Sequence, residues 1–394
     1  MDLTPTAEQE GFRADCREWL RTNLPWEYGV GLPPLFDDLA EEVAFLREWQ
    51  GKLAAAGMVG VTWPAEFGGR DAGPLHHYIV QEELARARAP EIVGRIGVNL
   101  VGPTLLAHGT PEQKARWLPS ILSAEQLFCQ LFSEPDAGSD LAAVKTRAER
   151  VDGGWRLRGQ KVWTSYAQFA DWGLCLARTD ADAPKRKGIS AFMVDMRAPG
   201  VDIRPLRQIT DESDFNEVFF DDAFVADDQL VGPLHGGWAV SGSTLTHERG
   251  TNPRQLVIHT QLLDELFRLA AQHDRLDDPR TEQDLAQAFV ELRLFQLQNW
   301  RSLSRLQHGR ELGPEAATAK LYWSEMSQRM HHRRCGCWVT RRRCGAAVDN
   351  PGDGRWQRSW LYYRAASIFA GTNEIQRNII GERTLGLPRE PEPR

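Results

Sequence analysis

Apolar residues recur at helical spacing through the first third of the chain. Two sets fall near a 3.6-residue period: Phe12, Cys16, Trp19, Leu20 and Leu24, then Leu39, Val43, Leu46, Trp49 and Leu53. Gly57 is expected to stop the second helix, and Pro and paired Gly mark residues 60–69 as a loop. Thr110 is a plausible cap for a helix whose first turn holds Pro111. The pattern predicts helices from residue 7 to about residue 124.

The pattern changes to strands between residues 125 and 235. Residues 147–151 and 155–157 flank Asp152-Gly153-Gly154 and predict a hairpin, and residues 189–194 and 217–220 are further β-prone runs. Helical spacing returns from residue 236. Helices, then strands, then helices indicate an α+β fold without the βα alternation of a doubly wound sheet. We predict three domains: 1–124, 125–235 and 236–394.

Composition and charge narrow the class of protein. The chain has 394 residues, 42% hydrophobic and 26% charged, as expected of a globular protein with more than one core. A net charge of −7 gives no electrostatic basis for binding nucleic acid or an anionic membrane. No apolar run approaches the ~20 residues that span a bilayer, and the first residues do not resemble a signal peptide. Six cysteines are too few for a disulfide framework, so we expect reduced thiols in a cytoplasm.

Two short segments carry the candidate chemistry. The turn Ala137-Gly138-Ser139 has little side-chain bulk, so a ligand can approach its backbone, and Asp140 could cap a helix that starts at Leu141. Trp163 offers an aromatic face beside the hydroxyls of Thr164 and Ser165, a surface suited to a flavin ring. The plain alternatives are a simple capping turn and a tryptophan in the sheet core. No Gly-x-Gly-x-x-Gly follows a predicted strand, so a Rossmann turn is not expected.

Taken together and in order, these segments resemble the acyl-CoA dehydrogenase family. The resemblance extends over nearly the whole chain, through residues 63–69, 109–114, 133–140, 161–166, 215–221 and 370–380. It implies an N-terminal helical domain, a middle β-barrel-like or sandwich domain that binds flavin, and a C-terminal four-helix-bundle domain. It also implies FAD, an acyl-CoA substrate oxidised to the trans-2-enoyl-CoA, an electron-transfer flavoprotein as acceptor, and a tetramer.

The resemblance also assigns roles to individual positions. Ser165 would direct its hydroxyl at the flavin nitrogen that receives hydride. The positions implied to bind FAD are Gln130, Phe132, Ser133, Gly138, Ser139, Trp163, Thr164, Ser165, Thr372 and Glu374. Those implied to bind the acyl-CoA are Ser139, Arg249, Ala370 and Gly371.

The reaction needs a carboxylate to remove the α-proton, and its position is the main question. Many relatives carry a Glu immediately before the Gly-Thr pair, where this chain has Ala370. Others place it on another helix just before an Arg, which here is Glu248, and we expect Glu248 to be the base. Asp221 and Glu374 are poorer candidates. Ala370 could still donate its backbone N–H to the thioester oxygen.

Two segments depart from the family pattern. Residues 272–278 lack the Arg-x-x-Phe-Gly run that reaches a neighbouring subunit's FAD, and residues 335–345 replace a Gly-Gly-x-Gly loop with cysteines and arginines. These cysteines could form a metal site if His331 and His332 joined them, but Cys-x-Cys with one distant Cys is a weak signal for one. Alternatively, a one-nucleotide frame slip over 333–345 would turn Cys-Gly-Cys-Trp into Leu-Arg-Leu-Leu for one choice of codons. The departures keep two other functions open, a supporting subunit of a mixed tetramer and an acyl-CoA oxidase.

Overall fold

A computed structural model gives the fold of residues 4–25, 28–29, 36, 38–247, 251–314, 316–338 and 355–389. Its residue contacts divide the chain into two units. The helical unit comprises Met1–Pro34, Gly73–Ala89 and Arg249–Arg394, and the sheet unit comprises Leu35–Ala72 and Pro90–Glu248. The units do not follow chain order, because two helices from the first third of the chain belong to the unit that holds the C-terminal helices.

The helical unit is built around long amphipathic helices. Its helices are α1 (Ala7–Asn23), α3 (Pro74–Arg86), α7 (Pro253–Gln272), α8 (Pro279–Gln307), α9 (Ala316–Trp338), α10 (Arg355–Tyr362) and α11 (Asn373–Ile379). Leu263 on α7, Leu292 and Phe295 on α8 and Met330 on α9 share one buried cluster. Burial of these apolar faces stabilises the unit.

The sheet unit combines a β-sheet with shorter helices. The helices are α2 (Leu39–Ala55), α4 (Gly102–His108), α5 (Pro111–Ser123) and α6 (Gly237–His247). The strands are β1 (Phe128–Leu131), β2 (Arg147–Val151), β3 (Gly154–Ser165), β4 (Trp172–Arg178), β5 (Ile189–Asp195), β6 (Val201–Leu206), β7 (Phe215–Ala226) and β8 (Leu230–Val231). The predicted hairpin is β2–β3, and Gly153 in its turn has a φ of 72°.

Eight strands in residues 128–231 form one mixed sheet. Its order is β6-β7-β3-β2-β4-β5-β8, and β1 pairs in parallel with β4. Buried side chains on one side, among them Leu157, Phe192 and Val218, form the core of this unit. The predicted α+β class with its middle sheet domain between two helical regions is confirmed, while the boundaries at residues 124 and 235 stay a prediction.

Local signals set several helix ends. Thr110 caps α5 as predicted: its Oγ1 accepts from Gln113 N at 3.2 Å, and the Gln113 side chain accepts from Thr110 N at 3.1 Å. The prediction for Asp140 was wrong. Leu141–Ala143 is a single 3₁₀ turn without a side-chain cap, and the Asp140 carboxylate instead accepts from Lys185 Nζ at 2.7 Å. Leu141–Ala143 is too short to present the free amides of a helix start, since Ala143 N already donates to the Asp140 carbonyl at 2.9 Å.

Candidate active site

The turn at residues 133–140 is tight and open to its surroundings. Glu134 and Ala137 exchange two backbone hydrogen bonds, of 3.0 and 3.1 Å. Gly138 and Ser139, which follow, are exposed, and a Cβ added to Gly138 would meet nothing within 4 Å. The backbone here is therefore accessible to a ligand, as the small residues of the turn predict.

A buried ion pair ties this turn to β3. Lys161 is fully buried, and its Nζ donates to Glu134 Oε1 at 2.8 Å and to the Phe132 carbonyl at 3.2 Å. The other bonds of the Glu134 carboxylate come from the backbone amides of Lys145 (2.6 Å) and Thr146 (2.9 Å). Burial alone would raise the pKa of Glu134, but Lys161 and these donors outweigh it and hold that pKa below its usual value.

A β-bulge in β3 turns Trp163 outward. Lys161 pairs with Val218 and Thr164 with Asn216, so two residues of β3 face one residue of β7. Trp163, in the bulge, has a φ of 59° and is 62% exposed. Its ring meets Phe215 edge-on, with centroids 6.1 Å apart. The alternative of a sheet-core tryptophan is therefore wrong, because the extra residue breaks the alternation that would have buried this ring.

The bulge also orders the hydroxyl residues that follow. Asn216 Nδ2 donates to the Thr164 carbonyl at 3.0 Å and to the side chain of Gln168, which in turn donates to the Ser213 carbonyl. Thr164 is buried, and its Oγ1 has no hydrogen-bond partner among the described residues. Ser165 is half-buried.

The remaining predicted residues of the sheet unit lie close to the same turn. Gln130 is half-buried on β1, and Phe132, just beyond that strand, is buried. Ser133 is half-buried, and its carbonyl accepts from Val162 N at 2.9 Å. The two segments found in the sequence are thus joined directly, immediately before the bulge.

The predicted residues of the helical unit form a second local structure. Ala370 and Gly371 both have positive φ, of 55° and 79°. The buried Gln376 donates from Nε2 to both of their carbonyl oxygens, at 3.0 and 3.3 Å. Among the described residues, no backbone acceptor is found for the Ala370 N–H.

Thr372 and Glu374 lie at the start of α11. Thr372 caps the helix, since its Oγ1 accepts from Ile375 N at 3.2 Å. Glu374 is exposed in the first turn, and its Oε1 lies 3.6 Å from Arg377 Nη1.

Several predictions fall where no structural statement is made. Glu248, Arg249 and residues 339–354 lie outside the described residues, as do the side chains of 333–338. The catalytic base, the metal alternative and the frame-slip hypothesis therefore stay predictions, and sequencing the DNA tests the last. Among the described residues, no three His, Cys, Asp or Glu side chains cluster as metal ligands.

The residues of the sheet unit fit a flavin. An isoalloxazine ring needs an exposed flat face, nearby hydroxyl or amide donors, and a backbone approach for its anionic phosphates. Trp163 would provide the face, Ser165 would provide a hydroxyl, and the open turn at Gly138 and Ser139 would provide the backbone.

Comparisons with known proteins agree with this chemistry. The family models of acyl-CoA dehydrogenases match residues 6–125 (N-terminal domain), 129–223 (middle domain) and 235–385 (C-terminal domain). The chain is 40% identical to "Acyl-CoA dehydrogenase IpdE1" of Mycolicibacterium smegmatis, over 97% of this chain and 99% of that one. The chain therefore belongs to the acyl-CoA dehydrogenase family and is an FAD-dependent oxidoreductase that acts on acyl-CoA.

Solved structures show the same fold. "Tcur3481-Tcur3483 steroid ACAD" superposes with a TM-score of 0.84 at 28% identity, covering 99% of this chain and 100% of that one. The ChsE4-ChsE5 complex from Mycobacterium tuberculosis gives 0.82 at 29% identity, with 99% and 100% covered. None of the described helices is long and apolar enough to cross a membrane.

Sequence reasoning missed the residues that hold this site in place. Lys161 and Glu134 were noted only as parts of two segments, and Asn216 and Gln376 were not singled out for a role. A lysine inside an apolar strand and a glutamate beside a small-residue turn are the signal that could have suggested a buried pair. The sequence does not show that Glu134 and Lys161 pair with each other, because they lie 27 positions apart in the chain.

Proposed function

We propose that this chain catalyses α,β-dehydrogenation of an acyl-CoA thioester to the trans-2-enoyl-CoA, with Glu248 as the base. The observation that carries the proposal is the outward-facing Trp163 on a bulge that is tied to the open turn at residues 133–140. Bound FAD would supply the acceptor for the β-hydride. Electrons would then pass to an electron-transfer flavoprotein, and we expect the protein in the cytoplasm.

The chain's own residues would position and polarise the substrate. The Ala370 N–H would donate to the thioester oxygen, where negative charge develops as the α-proton leaves. The Glu248 carboxylate would take that proton, and Arg249, Gly371 and Ser139 would contact the acyl-CoA. Trp163 would support the flavin ring, and the Ser165 hydroxyl would hydrogen-bond to its hydride-accepting side.

The substrate we propose carries a bulky, ring-containing acyl group. Ala370 is small and thus leaves room near the α-carbon. The structural neighbour named "Tcur3481-Tcur3483 steroid ACAD" supports a polycyclic acyl-CoA over a straight chain. A panel of acyl-CoA esters from butyryl to steroid side-chain thioesters tests this, and highest kcat/KM on an unbranched substrate would contradict it.

A second candidate function concerns the assembly of subunits. We propose a tetramer, formed either by this chain alone or with a related chain. The similarity to the ChsE4-ChsE5 complex supports a mixed assembly, in which this chain could mainly support a partner's flavin site. The purified protein discriminates the two: an active enzyme is yellow by itself and bleaches anaerobically with acyl-CoA, whereas a supporting subunit gains flavin only with its partner.

A substitution at residue 248 tests the base. Glu248→Gln keeps the size of the side chain but cannot accept a proton, so we expect kcat to fall at least ~10³-fold while the protein stays yellow. Asp221→Asn removes an exposed carboxylate of β7 and serves as the matched control, with kcat near that of the unmodified enzyme. Both are measured by anaerobic flavin bleaching in a stopped-flow instrument.

The outcomes separate the role of the residue from the function of the chain. Retained turnover in Glu248→Gln removes Glu248 from the mechanism but leaves the activity established. Lost turnover in Asp221→Asn alone moves the base to Asp221. No bleaching of the unmodified yellow protein by any ester of the panel contradicts the proposed reaction itself.

A further inference from the structure

The turn that carries Ala370 and Gly371 is bound on both sides by the helix α9. Both residues of the turn have positive φ, and at Ala370 this conformation is strained because a Cβ is present. A residue other than glycine keeps such a conformation only where the surrounding structure imposes it. Three side chains of α9 bind the segments that lie before and after this turn.

Gln328 binds the segment before the turn. Its Nε2 donates to the carbonyl oxygens of Tyr363 and Arg364, at 3.0 and 3.4 Å, and to Ser367 Oγ at 3.1 Å. One side-chain amide of α9 thus fixes residues 363–367, which lie immediately ahead of the turn.

Lys320 and Ser324 bind the residue that follows Thr372. The buried Asn373 accepts at Oδ1 from Lys320 Nζ and from Ser324 Oγ, both at 3.0 Å. Lys320, Ser324 and Gln328 are spaced four residues apart, so they project from one face of α9 in successive turns. One rigid helix therefore sets the positions of both ends of the turn.

The segment before the turn is also tied to α7. Tyr363 Oη donates to Gln255 Oε1 at 3.1 Å, and the His331 ring packs on the Tyr363 ring with centroids 4.4 Å apart. In the chain, α7 begins shortly after the predicted base, Glu248. Tyr363 thus connects the helix that follows the base with the segment that leads to Ala370.

We propose that Gln328 and Tyr363 are positioning residues that aim the Ala370 N–H at the thioester oxygen. The inference rests on the proposed function, in which this N–H donates to that oxygen as negative charge develops on it. A hydrogen bond weakens steeply when its donor is tilted or displaced, and this one matters most where the charge is largest. Loss of either anchor lets the strained turn relax, which costs more in the transition state than in substrate binding.

Substitutions of similar shape test the two anchors. Gln328→Met and Tyr363→Phe remove the donor atoms, so kcat is expected to fall at least ~10-fold while KM changes less than about threefold. Anaerobic flavin bleaching at varied acyl-CoA concentration separates the two constants. Thermal melting and flavin absorbance show that each variant is folded and loaded with FAD.

Two matched substitutions in the helical unit serve as controls. Gln261 Nε2 donates to the Ala85 carbonyl at 3.2 Å, and Tyr322 Oη donates to the Glu291 carbonyl at 3.0 Å. Gln261→Met and Tyr322→Phe remove these bonds, neither of which involves residues 363–373. Both variants are expected to keep the kcat of the unmodified enzyme.

The polarisation of a bound carbonyl gives a second readout, which a loss of stability alone would not change. Cinnamoyl-CoA absorbs at longer wavelength when a hydrogen bond polarises its thioester carbonyl. On binding to the FAD-loaded protein, its difference spectrum is expected to shift to the red. The shift is expected to be smaller in Gln328→Met and Tyr363→Phe, and unchanged in the two controls.

The other outcomes overturn the inference. Anchor variants that keep both the kcat and the absorption shift of the unmodified protein contradict it. Equal losses in anchor and control variants also contradict it, because they show a general effect of lost hydrogen bonds. A raised KM with unchanged kcat shows that the anchors act in substrate binding instead. If the unmodified protein bleaches with no ester, the proposed reaction itself fails, and the absorption shift alone then decides whether the anchors aim this N–H.

Discussion

The buried Glu134–Lys161 pair decides how the two flavin segments meet. Taking two charges out of water is costly, and mutual attraction offsets that cost only when other hydrogen bonds satisfy both groups. Here the backbone amides of Lys145 and Thr146 and the carbonyl of Phe132 do so. Such a pair therefore fixes the position of the two segments more than it stabilises the fold.

Single and double substitutions of the Glu134–Lys161 pair are expected to have different effects. Lys161→Met leaves the Glu134 carboxylate buried without its cation, so the apoprotein is expected to lose on the order of 3 kcal/mol of unfolding free energy. The double variant E134L/K161M removes both charges and recovers most of that stability. It does not recover FAD affinity, because the turn has lost the bonds from Lys145 N and Thr146 N. Differential scanning fluorimetry and FAD titration measure the two effects.

The exposed Lys185–Asp140 pair provides the matched control. Lys185 Nζ and Asp140 Oδ2 lie 2.7 Å apart, and the two side chains are 67% and 57% exposed. Lys185→Met is therefore expected to change the unfolding free energy by less than about 1 kcal/mol. If the double variant E134L/K161M binds FAD as tightly as the unmodified protein, the buried pair is only structural.

At the scale of elements, the Trp63 loop and α4 fit together through a glycine. A Cβ on Gly102 would lie 2.0 Å from Trp63 Cη2, and Trp63 is itself buried. The helix conformation of Gly102, with φ of −61°, would accept any residue. Position 102 therefore requires glycine because of the Trp63 ring, and not because of its backbone conformation.

Two alanine substitutions separate these effects. Gly102→Ala is expected to destabilise the sheet unit by about 1–3 kcal/mol, because the ring must move in a packed core. Gly11→Ala, in α1, meets nothing within 4 Å and is expected to stabilise the chain by about 0.5–1 kcal/mol through helix propensity. Melting temperatures measure both, and a Gly102→Ala variant as stable as Gly11→Ala would contradict the packing argument.

At the scale of the whole molecule, a buried histidine couples stability to pH. His259 in α7 is fully buried: its Nδ1 lies 2.7 Å from the Gln255 carbonyl and its Nε2 lies 2.8 Å from Ser327 Oγ on α9. Burial lowers the pKa of His259 from 6.5 to about 4. The folded chain therefore keeps this ring neutral at pH values where the unfolded chain protonates it.

The sign of the effect follows from linkage. Below pH 6.5 the unfolded state binds the proton and the folded state does not, so stability falls as pH drops toward 4. The full loss corresponds to about 3 kcal/mol. His259→Gln is expected to be less stable at pH 7 but to lose less stability between pH 6.5 and 4, measured by urea unfolding. His308→Gln, an exposed control at the end of α8, keeps the original slope, and an unchanged slope in His259→Gln contradicts the assignment.

Much of this molecule was predictable from local patterns. Helical periodicity, the Thr110 cap, the hairpin turn at Gly153 and the order of helices, strands and helices all depend on residues close in the chain, and all are confirmed. The family resemblance on the same segments led to FAD and to acyl-CoA. The cap predicted at Asp140 is absent because residues 141–143 form a single 3₁₀ turn and not a helix, and the Asp140 carboxylate instead accepts from Lys185, 45 residues away.

The sequence by itself therefore determined the class of fold, the family and the segments that hold the cofactor chemistry, since periodicity, turns and small-residue loops are short-range properties. Only the tertiary structure decided that Trp163 faces outward, that Lys161 pairs with Glu134, and that Gln376 donates to the carbonyls of Ala370 and Gly371. Each of these features depends on contacts between residues that are distant in the chain. Burial, charge pairing and strand register are therefore set only when the chain has folded.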